Sequence, residues 1–425
     1  MRGEITGIRA RRVWDSRGRP TLEAEVALSS GAIGRAIAPA GASRGSREAL
    51  DLRDGGARFG GMDVGRAIAN VGGAIAGALI GHDAFDQAGV DELLVALDGT
   101  PNKAALGGNA TIAVSVAIAQ AAAGERGEPL WRHLAGDAPV SLPLPEIQIF
   151  GGGAHASRRI DLQDLMVLPL AATTFAEALA MTAEVYQAAG ELMRDAGKLA
   201  GVADEGGWWP AFDSNEDALA TLVRAIERAG FTPGDEFAIA LDVAASEFGR
   251  DGRYWLGLDR RELDRDAMID LLLGWLDRHP IASIEDPLAE DDREGWLAFA
   301  RAAGKRIEIV GDDYLTTNAA QVTQAAADGA CNAVLIKPNQ AGTVTETLAA
   351  LLAGRNAGFA TIVSARSGET EDVSIVHLAV GWNAGRLKVG SFARSERMAK
   401  WNEALRIEES LGAAARFAGR ALLRT

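Results

Sequence analysis

At 425 residues, the chain is long enough for two domains or for a small domain beside a barrel. Its 43 lysines and arginines against 58 aspartates and glutamates give a net charge of −15. This acidic balance argues against general binding to nucleic acids or membrane surfaces, which needs basic patches, but it allows a small anionic substrate in a locally positive pocket.

Strand-like runs separated by turns open the chain. The alternating character of EITGIRARRVWD, RPTLEAEVALSS and GAIGRAIAPA predicts an antiparallel meander. Helical patterns follow within residues 62–80, 83–97 and 109–123, and their alanine- and glycine-rich parts are too short to cross a bilayer. Prolines then punctuate GDAPVSLPLPEIQ, which predicts a domain boundary at about residue 140.

Beyond this boundary, short apolar runs alternate with amphipathic stretches. The runs are EFAIALDVA, IASIEDP, RIEIVGDD, AVLIKPNQ, FATIVSAR and RLKVG. Amphipathic stretches such as DRDAMIDLLLGWLDRH and TVTETLAALLAGRNAG lie between them. Strand starts recur roughly every 20 to 45 residues, which is the pitch of βα units in a barrel or a doubly wound sheet.

A charged residue stands at or near the end of each of these runs. In chain order they are Asp242, Glu285, Asp312, Lys337, Arg366 and, within the last run, Lys388. In a parallel barrel the carboxyl ends of the strands converge on one face, where active sites are built. Three converging carboxylates would repel one another unless a hard divalent cation such as Mg²⁺ bound to them. Any one of these charges alone is an ordinary surface residue, but six in succession favour a functional site.

Lys337 and Glu205 are the candidates for proton transfer. Lys337 follows the apolar run AVLI, so burial and a neighbouring cation should favour its neutral amine, the form that a general base needs. A metal ion beside such a lysine suits removal of a proton α to a carboxylate. The alternative is a salt bridge from Lys337 to Asp312 or Glu285. Glu205 lies in DEGG, whose glycines allow a tight turn, and it is the candidate acid unless this is a plain turn.

The single cysteine and the first residues of the chain bear on its compartment. Cys331 cannot form an internal disulfide, and its place between a helical stretch and a strand favours a small buried thiol. No basic and then apolar stretch follows Met1, so no signal peptide is expected. Both observations predict a cytoplasmic protein.

Motifs along the whole chain resemble those of the enolases. They are VWDSRGRPTLEAEV, PAGASRGSREALDLRDG, LDGTPNKAALGGNA, GGGAHASRRIDLQDLMVLP, DEGG, LDVAASEF, SIEDPLAEDD, VGDDYLTTN, LIKPNQAGTVTET, SGETED and RSERMAKWNEALRIEE. The resemblance implies an α/β fold, with an enolase-type (βα)8-like barrel over residues 139–425 and a smaller N-terminal α+β domain over 1–138. It also implies a cytoplasmic, Mg²⁺-dependent lyase, a homodimer or homo-octamer, that dehydrates 2-phosphoglycerate, a small phosphorylated carboxylate, to phosphoenolpyruvate.

The resemblance further implies two Mg²⁺ ions in each active site. Asp242, Glu285 and Asp312 would bind the tighter ion, which also holds the substrate carboxylate. Ser43, in a mobile loop after Pro39, would help to bind a second ion shared with the substrate phosphate.

The remaining site residues take their roles from the same resemblance. Lys337 would remove the C2 proton, and Glu205 would assist departure of the C3 hydroxyl. Lys388 would neutralise the negative charge of the substrate, and Arg366 with Ser367 would hold its phosphate. His155 and Gln163 would line the same cavity. A lone histidine is most often structural, but His155 follows GGG and matches a pocket position of the family, which favours a site role.

Four positions depart from the enolase pattern. Ala365 stands where the family has a histidine, and Gly151-Gly152-Gly153 replaces Asn-Gly-Gly. The loop motif Ser-Thr-Gly has an arginine, Arg44, at its centre, and Asp164 is one methylene shorter than the glutamate expected to work with the general acid. Loss of an imidazole leaves room, and Arg44 offers a bidentate grip on an anion. These changes indicate either a pocket for a larger or more anionic substrate or a divergent, slower enolase.

Three functions are therefore compatible with the sequence. The first is phosphopyruvate hydratase, the enolase reaction itself. The second is an enolase-like enzyme of phosphonate or other specialised metabolism, such as carboxyphosphonoenolpyruvate synthase, which Ala365 and Arg44 favour. The third is a non-catalytic binding protein on the enolase fold, and the retained carboxylates and lysine argue against it.

Overall fold

The structure, a computed structural model, describes residues 3–422 and begins with the predicted antiparallel meander. Its strands are β1 Ile5–Trp14, β2 Pro20–Leu28 and β3 Ile33–Ile37. The turn between β1 and β2 is tight because the Asp15 carboxylate accepts the backbone N–H groups of Arg17 and Arg19, each at 2.9 Å. The predicted meander is thus confirmed.

Five helices follow the meander, and the longest packs directly on it. They are α1 Gly65–Asn70, α2 Ala76–Leu79, α3 Gln87–Asp98, α4 Gly108–Arg126 and α5 Leu130–Ala135. A π-helical turn, Val71–Ile75, joins α1 to α2. The alanine-rich α4 is buried along most of its length against β2 and β3. The approach is close, since a Cβ on Gly34 of β3 would lie 1.9 Å from the carbonyl oxygen of Ala117.

A closed eight-stranded barrel follows, with a small three-stranded sheet beside it. In chain order the strands are β4 Leu144–Gly151, β5 Asp164–Pro169, β6 Phe237–Asp242, the side-sheet strands β7 Gly249–Arg250, β8 Arg253–Leu256 and β9 Arg261–Asp264, then β10 Ile281–Glu285, β11 Glu308–Gly311, β12 Ala333–Ile336, β13 Ala360–Ser364 and β14 Arg386–Gly390. The barrel fold predicted for this part of the chain is confirmed.

One barrel strand, β5, runs antiparallel to both of its neighbours, β4 and β6. Residues 152–163 between β4 and β5 form a 3₁₀ turn, Gly153–Ala156, and no α-helix, whereas the crossover between parallel strands is usually an α-helix. The six strands predicted from apolar runs are parallel, and β5, which was not among them, is the exception. The reversal places Asp164, the first residue of β5, opposite the last residues of β4 and β6, Gly151 and Asp242.

Within residues 3–422, nine helices lie between the barrel strands or after the last of them. They are α6 Phe175–Asp195, α7 Asn215–Arg228, α8 Arg265–Arg278, α9 Arg293–Ala303, α10 Ala319–Asp328, α11 Pro338–Ala341, α12 Val344–Asn356, α13 Ser374–Gly381 and α14 Ser395–Leu411. The two amphipathic stretches singled out in the sequence form α8 and α12. Each begins at a side-chain cap, since Asp264 accepts the N–H of Ala267 at 2.9 Å and Thr343 accepts that of Glu346 at 3.1 Å.

Backbone pairing joins the N-terminal region to the barrel beside the predicted site. Ala40 and Gly368 exchange two backbone hydrogen bonds, of 2.9 and 2.8 Å, in an isolated antiparallel bridge. Arg17 crosses the same junction, donating to the Ala40 carbonyl at 2.8 Å and to Ser367 Oγ at 3.2 Å. The loop that follows Ala40 therefore starts at the mouth of the barrel.

Cys331 is the buried thiol that the sequence predicts. It lies between α10 and β12, and burial raises the pKa of its thiol, which disfavours the reactive thiolate. Within residues 3–422, no helix has the length and apolar character needed to cross a bilayer.

Candidate active site

The six charged side chains that end the predicted strand runs lie together at one mouth of the barrel. Asp242 and Glu285 are the last residues of β6 and β10, and Asp312 and Lys337 come just after β11 and β12. Arg366 lies two residues after β13, and Lys388 lies within β14. All six are buried. Burial of so many charges requires close pairing, and the contacts below supply it.

Lys388 is the cation at the centre of this mouth. Its Nζ lies 2.8 Å from Glu285 Oε2, 3.1 Å from Asp242 Oδ2 and 3.3 Å from Asp164 Oδ2. Burial opposes the charge on this lysine, but the Asp242 and Glu285 carboxylates outweigh it and raise the pKa of Lys388 well above its usual value. Lys388 is therefore a fixed positive charge that partly neutralises the carboxylates around it.

Lys337 forms a buried ion pair with Asp312, in which its Nζ donates to Asp312 Oδ2. Burial opposes its charge, but the Asp312 carboxylate outweighs burial and raises the pKa of Lys337. The expectation that burial favours the neutral amine is wrong for this arrangement, and the salt bridge weighed as the alternative is present. The physical reason is that the Asp312 carboxylate accepts a hydrogen bond from the lysine and stabilises its charged form.

Asp242, Glu285 and Asp312 have the chemistry of a hard-cation site. Burial and the neighbouring Asp242 carboxylate raise the pKa of Glu285 well above its usual value. Within residues 3–422, the buried Glu285 Oε1 has no hydrogen-bond partner. An oxygen-only donor set with a buried, unpartnered carboxylate oxygen fits Mg²⁺.

Asp286 supports this carboxylate group from behind. Its Oδ1 and Oδ2 accept the backbone N–H groups of Asp312 and Asp313 at 2.9 and 2.8 Å. The carboxylates of these three aspartates lie close enough together to hold a metal ion, although only Asp312 belongs to the set predicted from the sequence. The backbone hydrogen bonds give Asp286 a different task, which is to fix the position of Asp312.

A second group, formed by His155, Asp164 and Glu205, lies on the other side of the mouth. His155 Nδ1 is 3.0 Å from Asp164 Oδ1, and its Nε2 is 3.6 Å from Glu205 Oε1. Burial opposes protonation, but the Glu205 and Asp164 carboxylates outweigh it and raise the pKa of His155 to about 9. Burial would raise the pKa of Asp164, but the charges of His155 and Lys388 hold it below its usual value. The group therefore contains an imidazolium between two carboxylates.

Gln163 connects the loop after Ala40 to the metal-site candidates. Its Nε2 donates to Asp242 Oδ2 at 3.0 Å and lies 3.3 Å from Ser43 Oγ. In the part of the chain that the structure describes, the buried Gln163 Oε1 has no hydrogen-bond partner. Such an atom can accept from a ligand without breaking an existing contact.

Arg366 and Ser367 both occupy the mouth, and each is already held by another side chain. The Arg366 guanidinium pairs with Glu48, and Ser367 Oγ accepts from Arg17. Burial opposes the charge on Arg366, but Glu48 outweighs it and raises the pKa of the guanidinium. Arg366 is therefore a permanent cation at the end of the cavity where a phosphate is predicted.

These side chains surround a cavity with about 310 Å³ of empty space, part of which is open to solvent. Its lining includes eleven of the predicted or flagged residues: Ser43, His155, Gln163, Asp164, Glu205, Asp242, Lys337, Ala365, Arg366, Ser367 and Lys388. Glu285 and Asp312 lie behind the lining and reach it through the two lysines.

Two of the flagged departures from the enolase pattern differ in where they lie. Ala365 lines the cavity, so the small side chain does enlarge it. Arg44 does not line it, because its half-exposed side chain extends toward Asp51, with 4.0 Å between Nη1 and Oδ2. The predicted cation near the phosphate is therefore not delivered by Arg44 in this structure.

Sequence reasoning missed four residues that hold the site together: the partly buried Arg17 and the buried Glu48, Gln148 and Gln340. Gln340, for example, donates from Nε2 to Asp312 Oδ1 at 2.8 Å and to Glu48 Oε1 at 3.2 Å. Three of them, Arg17, Glu48 and Gln340, lie inside the enolase-like motifs of the sequence. For Glu48 and Gln340, a position a few residues after Ser43 and Lys337 was the available signal.

Comparison with known proteins agrees with this geometry. The family model described as "Enolase, N-terminal domain" matches residues 5–134, and "Enolase, C-terminal TIM barrel domain" matches residues 139–425. The chain is 48% identical over 417 residues to a protein named "Enolase 1" from Desulfitobacterium hafniense (strain Y51), covering 97% of this chain and 95% of that protein. Members of this family generally use Mg²⁺, for which the buried carboxylates are suited. The chain belongs to the enolase family.

Proposed function

We propose that this chain, a lyase, dehydrates 2-phosphoglycerate to phosphoenolpyruvate and water. One observation carries the proposal: Lys337 and Glu205 line the same small cavity together with Arg366 and Ser367. A base and an acid that share one cavity with phosphate-binding groups suit abstraction of an α-proton followed by loss of a β-hydroxyl. The 48% identity to a protein named Enolase 1 favours the same reaction.

Each proton transfer has a candidate residue. Lys337 would take the C2 proton, for which its amine must first be released from Asp312 and deprotonated. Glu205 would assist departure of the C3 hydroxyl, with Asp164 and His155 holding its surroundings. With two separate groups, one can take the proton from C2 while the other assists the departure of the hydroxyl from C3, so neither group has to perform both steps.

The substrate's negative charge would be met by fixed cations and polar atoms. Lys388 would neutralise the carboxylate end, and Arg366 with Ser367 would hold the phosphate. Gln163, whose Oε1 is unpartnered within residues 3–422, would accept a hydrogen bond from the ligand.

Two Mg²⁺ ions are proposed for each site. Asp242, Glu285 and Asp312 would hold the tighter ion, and Ser43 would contribute to the second. When bound, the metal would neutralise the substrate carboxylate and stabilise the negative charge that develops as the α-proton leaves. The unpartnered Glu285 Oε1 supports this assignment.

The organisation of the chain and its setting complete the proposal. Residues 1–138 would form the capping domain and residues 139–425 the catalytic barrel, in accord with the ranges that the two family models match. The protein would be a cytoplasmic homodimer or homo-octamer, for which the family resemblance is the support. A single buried cysteine agrees with a reducing compartment.

The phosphonate-type alternative loses one of its two supports. Ala365 still enlarges the cavity, but Arg44 lies outside its lining and adds no grip on a more anionic substrate. The non-catalytic alternative has no specific observation in its favour.

The test is formation of phosphoenolpyruvate from 2-phosphoglycerate, followed by ultraviolet absorbance with purified protein and Mg²⁺. We expect turnover on the order of 10 s⁻¹ or more. No turnover would overturn the proposed reaction. If α-proton exchange in deuterated water persisted in that case, the lysine base would be working on a substrate with a different leaving group.

A further inference from the structure

Gln148 lies on β4 and contacts the group formed by His155, Asp164 and Glu205 through Asp164. Its side chain is buried, with 1% of the residue exposed, and it does not line the cavity. The amide Nε2 donates to Asp164 Oδ1, and the amide oxygen Oε1 accepts the backbone N–H of Gly207 at 2.9 Å. Gln148 thus connects Asp164 to the turn that carries Glu205.

The two partners fix the direction of the Gln148 amide. A backbone N–H can only donate, so the amide oxygen must face Gly207. The NH₂ group must then face Asp164, whose ionised carboxylate can only accept. Rotating the amide by half a turn would place its NH₂ group against the Gly207 N–H, two donors, and its oxygen against the Asp164 carboxylate, two acceptors. The amide therefore has one favourable orientation, in which it stabilises the ionised Asp164.

The spacing around Gln148 matches two departures from the enolase pattern. Gly151 lies opposite Asp164 in the β4–β5 pairing, and a Cβ there would lie 2.7 Å from Ala203 Cβ and 3.1 Å from Gln148 Oε1. A Cβ on Gly207 would lie 2.4 Å from the same oxygen. The absent side chain at position 151 leaves room for the amide, and the long side chain of Gln148 reaches the short one of Asp164.

From these contacts we propose that Gln148 is a positioning residue that holds Asp164 and the Glu205 turn in register. Asp164 Oδ1 also accepts from His155 Nδ1, so one carboxylate oxygen receives both side chains. Loss of the amide would release Asp164 from one side and the Gly207 N–H from the other. The inference rests on the proposed function in one respect, which is that Glu205 assists departure of the hydroxyl.

A positioning role for Gln148 predicts that its replacement lowers kcat but leaves KM almost unchanged. Gln148→Met keeps a similar volume but removes both hydrogen bonds, and we expect kcat to fall about 10- to 100-fold, as for other small misplacements of reacting groups. KM for 2-phosphoglycerate should stay within about threefold, because Gln148 does not line the cavity. Gln120→Met is the matched control, since its Nε2 donates to Ser374 Oγ outside the cavity. An unchanged kcat in Gln148→Met would overturn the proposal.

An exchange of side-chain length is the sharper test. Gln148→Asn shortens the amide by one methylene, Asp164→Glu lengthens the carboxylate by one, and each change alone should lower kcat. The double variant restores the reach between positions 148 and 164 but not the hydrogen bond from the Gly207 N–H, so we expect a partial recovery of kcat, about tenfold over Gln148→Asn. A double variant whose loss equals the product of the two single losses would overturn the positioning role.

Hydrogen exchange keeps this proposal distinct from the proposed reaction. In the absence of substrate, Gln148→Met should exchange the amide hydrogens of residues 203–208 faster than the wild type, because the Gly207 N–H loses its acceptor. If the variant exchanged faster but the wild type made no phosphoenolpyruvate, the contact between Gln148 and the turn would be supported and only the proposed reaction would be rejected. Unchanged exchange in an active wild type would reject Gln148 as the residue that holds this turn.

Discussion

Glu48 and Arg366 form a two-pronged ion pair between the loop after Ala40 and the end of β13. Glu48 Oε2 accepts from Arg366 Nη1 at 2.9 Å, and Oε1 accepts from Nη2 at 3.2 Å. The other two Nη protons go to Asn339 Oδ1 at 3.1 Å and to the Ser43 carbonyl at 3.0 Å. A guanidinium has five N–H donors, so contacts among residues 3–422 occupy four of them and leave Nε–H. The arginine is thus oriented before any ligand arrives.

Replacement of Glu48 should therefore weaken the binding of the substrate phosphate by Arg366. We expect Glu48→Gln to lower kcat/KM for 2-phosphoglycerate by about tenfold or more, because Arg366 loses the charge that orients it in a buried position. Glu290→Gln is the matched control, since Glu290 accepts from Ser46 N and Oγ, each at 3.1 Å, on the exposed side of the same loop. Equal losses in the two variants would show that the loop, and not the arginine, is what Glu48 serves.

Lys337→Ala should abolish exchange of the substrate α-proton with solvent. The amine is the group proposed to remove that proton, and alanine offers no replacement. Deuterium incorporation into 2-phosphoglycerate in deuterated water measures the step directly. The control is Lys198→Ala, which removes a partly exposed lysine paired with Asp213 at 2.8 Å. Exchange that persists in Lys337→Ala would reject this lysine as the base.

The residues that the sequence revealed are those marked by local pattern. A charge that ends an apolar run, such as Asp242 or Glu285, can be recognised because the charged residue directly follows the strand in the sequence. The meander and the amphipathic helices α8 and α12 were predictable for the same reason. The first two barrel strands, β4 and β5, were not recognised, because only a 3₁₀ turn separates them and the alternation of strand and helix is lost.

Contacts between distant parts of the chain were beyond local pattern. Glu48 and Arg366 are 318 residues apart, and neither flanking sequence indicates the other. The pKa of Lys337 depends on whether Asp312 directs an oxygen at it, so burial alone gave the wrong direction. Arg44 could likewise be placed in its loop by sequence, but only the structure shows its side chain extending toward Asp51.

Removal of divalent cations should destabilise the protein as well as inactivate it. With Mg²⁺ absent, Asp242 and Glu285 are buried close together, and Glu285 Oε1 is unpartnered within residues 3–422. A ligand at about 100 times its Kd adds about 2.7 kcal/mol to the free energy of unfolding. For a chain of 425 residues this corresponds to a fall in Tm of about 3 °C on chelation, with recovery when Mg²⁺ is restored. Glu285→Gln should reduce this shift, while Glu262→Gln, on the side sheet, should not. A Tm indifferent to Mg²⁺ would reject the metal site.

Arg386 lies inside the barrel, where charge is hardest to replace. Its Nη2 donates to Glu308, and its Nη1 is 3.3 Å from Glu146 Oε2. Arg386→Met would leave two buried carboxylates without a cation, so we expect the free energy of unfolding to fall by about 3–5 kcal/mol, measured by urea unfolding. Arg253→Met, which breaks an exposed pair of 2.9 Å with Glu262, should cost less than about 1 kcal/mol. Equal losses would mean that water reaches the barrel interior and solvates both carboxylates, and the pairing would then have little effect on stability.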